Sequence, residues 1–88
     1  MTTYDKLLAR VMSGRSDANL EFDDLRRLPE HLGFAERVHG SHHVFVNSGI
    51  PEMINLQREG HYAKPYQVRQ VRTVITAHHL AAEGTVHA

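Results

Sequence analysis

Three β-prone runs follow one another between Phe34 and Gln57 with only a few residues between them. Phe34-Ala35-Glu36-Arg37-Val38 alternates as a first strand, His42 to Asn47 reads as a second, and Met53 to Gln57 as a third. The links His39-Gly40-Ser41 and Ser48-Gly49-Ile50-Pro51 are far too short for parallel crossovers. The only arrangement open to these runs is a three-stranded antiparallel meander. Such a sheet needs apolar cover on one face and can leave the other wet.

The flanking segments supply the cover. Thr2 or Thr3 can cap a helix through Asp5–Met12, with Tyr4, Leu7, Leu8, Val11 and Met12 on one side, and Gly14 ends it. A second helix should begin near Glu21 or Phe22, burying Leu25, Leu28 and Leu32. Pro29 predicts a kink or break there, and Gly33 is a natural terminator. Pro65 suits the first turn of a third helix running from about Lys64 to Ala82, with Val68, Val71, Val74, Ile75 and Leu80 for its apolar face. Gly84 should end it ahead of a frayed tail, Thr85 to Ala88. The expected class is α+β, in the order helix, helix, three strands, helix. Helix–three strands–helix is the layout of the double-stranded-RNA-binding fold, which reads RNA by shape, phosphates and 2′-hydroxyls.

At 88 residues the chain is expected to form a single domain, residues 1–88. It has no cysteine, so disulfides, zinc–thiolate sites and cysteine nucleophiles are excluded. Neither a signal peptide nor a membrane span is legible, and a soluble cytoplasmic protein is the expectation. Formal net charge is zero, so bulk charge does not announce a nucleic-acid binder. Distribution says more. Asp17, Glu21, Asp23, Asp24 and Glu30 gather early, whereas the proposed last helix carries Lys64, Arg69 and Arg72 with no acid before Glu83. Most of the 8 histidines also lie late in the chain, so that half becomes more cationic in mild acid.

Chemistry concentrates in Gly40-Ser41-His42-His43-Val44-Phe45. Neighbouring side chains on a strand point to opposite faces. If Val44 joins the core, His42 goes with it; if Phe45 does, His42 is the exposed ring. Either way one imidazole is presented from a strand just after a flexible turn. RNA carries its own nucleophile, the 2′-hydroxyl. A protein that helps this group lose a proton and steadies the phosphate can cleave RNA without a metal. The candidates for that task are His42 or His43, Ser41 with the Gly40–Ser41 amides, Lys64 and Arg69. The free amides of the last helix's N-terminus, with Lys64, suit a phosphate. No His-Glu-x-x-His pattern occurs and adjacent helical histidines such as His78 and His79 chelate poorly, so neither metal nor other cofactor is expected.

The blocks Leu32-Gly33-Phe34, Arg37, Gly40 to Phe45, Asn55-Leu56-Gln57 and Ala63 to Arg72 together resemble the HicA family, the toxin half of HicA–HicB toxin–antitoxin pairs. The resemblance spans about residues 22 to 80, within a core of about 22–82, and leaves residues 1–20 as an N-terminal helical extension. It implies a double-stranded-RNA-binding-like fold and metal-independent mRNA cleavage by a strand histidine. It also implies neutralisation by a HicB-type antitoxin that covers the active face. The catalytic position falls at His42 or His43, with a slight preference for His42 because it directly follows the Gly-Ser turn. The chain departs from many members at Asn55-Leu56-Gln57, where they have Pro-x-His, and at Lys64-Pro65-Tyr66-Gln67, where they have Lys-x-Gly-Thr. The alternative expectation is a non-catalytic RNA- or protein-binding module of the same fold.

Overall fold

The computed structural model describes residues 3–80. The elements are α1 (Thr3–Ser13), α2 (Phe22–His31), β1 (Ala35–His39), β2 (His42–Asn47), β3 (Ile50–Gln57) and α3 (Pro65–His78). The class is α+β. The strands pair antiparallel in the order β1-β2-β3. One sheet face is covered by helices. Phe45, Ile54 and Leu56 point into that layer and meet Phe22, Leu25 and Leu28 of α2 and Val68, Val71 and Ile75 of α3, all buried. α1 packs outside α2 and α3 through the buried Val11.

Several boundaries differ from expectation. Phe34 is buried ahead of β1, its N–H donating to Pro29 O at 3.0 Å, and the strand runs on through His39. The first hairpin turn therefore contracts to Gly40–Ser41, with Gly40 alone at positive φ (61°), the pattern of a type II′ turn. β3 begins at Ile50, and a bulge opposite Val46 absorbs the extra residues. α2 continues through Pro29 to His31. The proline ring is fully buried, which offsets its one lost hydrogen bond, and the helix ends within a turn at Gly33 (φ 99°). α3 stops at His78, short of Ala82, because His79 takes the left-handed conformation. His79 N–H then bonds Thr76 O and Leu80 N–H bonds Ile75 O, a Schellman pair, while Leu80 packs on the core. Ala82, Gly84 and the tail lie outside the described residues.

Early acids and later cations, apart in sequence, meet in the fold. Arg72 grips Asp17 with two hydrogen bonds of 2.9 Å and donates to Val11 O at 3.0 Å, which ties the Gly14–Asn19 loop and the end of α1 to α3. Arg58 pairs with Asp23, and His78 with Glu52. Among the described residues no helix is long and apolar enough to cross a membrane.

Candidate functional site

The core face of β2 goes to Phe45, fully buried, and therefore to His43, which is 8% exposed. His42 consequently stands exposed on the open face. Phe45 wins because α2 delivers Phe22, Leu25 and Leu28 against this side of the sheet. Strand register then assigns the neighbours. Directly opposite residues of an antiparallel pair share a face. His39 faces His42 across β1–β2, and Gln57 faces it across β2–β3. Ala35, Arg37, Val44, Val46 and Asn55 continue the same face, which holds no carboxylate in these rows.

His43 has a different setting. An ionised carboxylate only accepts, so His43 Nδ1 donates to Glu36 Oε2, at 2.7 Å. Glu36 also takes Arg26 at 3.4 Å, and the Phe22 ring meets the His43 ring edge-on at 5.2 Å between centroids. Arg26 in turn leans on Asp23, its Nε buried without a hydrogen-bond partner among the described residues. His43 is thus an oriented imidazole held between sheet and α2.

Two short connections fix the surroundings of His42. Arg58 N–H donates to Ser41 O at 2.9 Å, extending the sheet past β3 to the turn. The Arg58 guanidinium lies over the Phe22 ring, 4.6 Å from its centroid, and pairs with Asp23, whose carboxyl it holds below its usual value. The segment from His61 to Ala63 is stitched to Leu20–Phe22 by backbone bonds, which delivers Lys64 to the head of α3.

α3 itself seals the outer edge of β3. Gln67 Nε2 donates to Gln57 O at 2.9 Å while its Oε1 accepts Lys64 N–H at 3.2 Å. Gln70 accepts Asn55 N–H at 2.9 Å and returns a bond to Asn55 O at 3.3 Å. The first turn of α3 is therefore held beside Gln57, the residue next to His42.

Gly40, Ser41 and His42 come together, and Gln67 links the Lys64 amide to Gln57, the cross-strand partner of His42. His43 is turned to the helix side. Arg69 is exposed on α3 but reaches electrostatically toward Asp17, whose carboxyl it and, chiefly, Arg72 hold low. Arg72, counted among the cations of the last helix, is spent on Asp17, and its own pKa is raised by that bond. Sequence reasoning missed Glu36, Arg58 and the facing of His39 and His42. The last was legible in principle: residues flanking a two-residue hairpin turn are always opposite partners.

No protein-family model matches the chain, and no curated protein or solved structure is significantly similar to it. Among the described residues no group of three or more His, Asp or Glu side chains is placed to hold a metal ion.

Proposed function

We propose that the chain is a HicA-like endoribonuclease that cleaves mRNA through His42. The observation that carries this is the presentation of His42. It stands exposed on a strand, one residue after a tight Gly40–Ser41 turn, on a sheet face with Arg37 and no carboxylate in its rows. Lys64 heads α3, whose first turn is tied through Gln67 to Gln57 opposite His42, and its ammonium supplies a cation for phosphate. The amides expected there are largely taken, because Gln67 Oε1 accepts Lys64 N–H, Pro65 has no N–H and Gln67 N–H bonds Lys64 O. The order α2-β1-β2-β3-α3, with both helices on one sheet face, supports the double-stranded-RNA-binding-like assignment. His43 serves in this reading as a positioning residue, anchored on Glu36 behind the strand.

Purified protein should shorten a long transcript in the presence of a chelator. His42→Ala should abolish this while remaining folded. Intact RNA with wild-type protein over a pH series would sink the enzymatic reading and leave the binding module.

The same reading includes an acidic HicB-type antitoxin. Tyr62 and Tyr66 are 53% and 52% exposed near Lys64, so they are available as partner anchors and contribute little to the core. Lys64→Glu with Arg69→Glu should slow antitoxin association and weaken RNA binding, and Tyr66→Ala should hasten dissociation at unchanged melting temperature. An unchanged association rate in the charge-reversed protein would place the antitoxin elsewhere.

A further inference from the structure

Cleavage of RNA by its own 2′-hydroxyl moves two protons. The 2′-O–P bond forms as the P–O5′ bond breaks, leaving a 2′,3′-cyclic phosphate and a 5′-hydroxyl. One proton leaves the nucleophile and one must reach the departing 5′-oxygen. A single imidazole can assist only one end at a time. Two imidazoles on one face, each within hydrogen-bond reach of roughly 2.6–3.2 Å, can serve both ends together.

The sheet offers such a pair. His39 and His42 are register partners that close the Gly40–Ser41 turn. Their Cβ atoms are therefore roughly 4.5–5.5 Å apart on one face, and both residues are exposed. From that spacing two rings can splay around one phosphodiester. Other described histidines are engaged elsewhere: His31 stacks on Tyr4, His43 holds Glu36, and His61 and His78 pair with Glu21 and Glu52. His79 stands at the far end of α3. Arg37, two residues before His39 on the same face of β1, supplies a cation for the non-bridging phosphate oxygens.

We infer that His39 is a second catalytic residue: it donates the proton to the 5′-oxygen while His42, facing it across the hairpin, takes the proton of the 2′-hydroxyl. The step leaves His42 protonated and His39 neutral, and exchange with water resets both. This rests on the endoribonuclease reading above.

The test uses full-length wild type, His39→Ala, His39→Gln and His42→Ala on two oligonucleotides. One has an ordinary scissile linkage, the other a sulfur in place of the 5′-bridging oxygen, a leaving group that needs no proton. On the ordinary linkage both His39 variants should lose ~10²-fold in kcat at nearly constant KM. On the sulfur linkage they should return to near the wild-type rate, while His42→Ala stays defective. The pH–rate profile of His39→Ala should lose its alkaline limb, since the acid no longer has to be protonated. Equal urea midpoints for all four proteins keep folding out of the comparison. Full activity in His39→Ala, an equal loss on both linkages, or rescue of His42→Ala instead would overturn the assignment, with the endoribonuclease reading left standing. Failure of wild type to cleave either linkage would overturn that reading and this inference with it.

Discussion

His42 and His43 are adjacent in sequence, yet their replacement should cost the fold very different amounts. His43 is 8% exposed, bonds Glu36 at 2.7 Å and presents its ring to Phe22. A hydrogen bond to a charged group contributes roughly 1.5–3 kcal/mol net. The edge-on aromatic contact adds roughly 0.5–1.5 kcal/mol. His43→Ala should therefore destabilise the domain by about 3 kcal/mol, because it also strands Glu36 with Arg26 as its remaining partner. For a domain of this size that is a fall of roughly 12–24 °C in melting temperature. His42→Ala, at an exposed position with no hydrogen bond or ion pair among the described residues, should stay within about 0.5 kcal/mol of wild type. Urea denaturation of both variants measures the difference. Adding Glu36→Gln to His43→Ala should cost less than the two single changes together, with a coupling of about 1–2 kcal/mol. Equal destabilisation by the two alanine variants, or none by His43→Ala, would refute the assignment of faces on which the site rests.

Asp17 is held low chiefly by its hydrogen bonds to Arg72, so its folded pKa lies below the ordinary 3.8. The stabilisation it contributes is complete above the unfolded value and fades as pH falls through the folded one. Acid titration of melting temperature should show wild type losing stability below about pH 4 more steeply than Asp17→Asn, and parallel curves would contradict the pairing. Gly40 has φ 61° and no atom within 4 Å of an added Cβ, so only backbone strain opposes substitution there. Gly40→Val should cost at least about 1–2 kcal/mol, Gly40→Asn less, and equal urea midpoints for the two would argue against the positive φ. Gln70→Ala should speed hydrogen exchange at the Asn55 amide and remove about 1 kcal/mol, and unchanged exchange would mean that α3 does not guard the β3 edge.

Much of this was written into local sequence. Short links between alternating runs force antiparallel pairing, and helical spacing marks Leu25, Leu28, Leu32, Val68 and Val71 as buried. Glycine and proline placed most helix ends, because their backbone constraints act locally. Pro29 did not break α2, which runs on to His31 with the proline ring buried, a tertiary setting that local sequence does not announce. His79 likewise stopped α3 by a left-handed turn that no glycine announced.

The candidate site divides along the same line. The sequence by itself placed two histidines on opposite faces after a turn, since strand alternation needs no partner. Which of them faces water was open until α2 brought its leucines and Phe22 against Phe45, because burial is decided by what packs on a face. The pairing of Asp17 with Arg72 and of Glu36 with Arg26 and His43 likewise depends on chain segments meeting in space. Net charge near zero concealed that pairing, and with it the face of Arg37, His39 and His42 that the sheet register keeps clear of carboxylates.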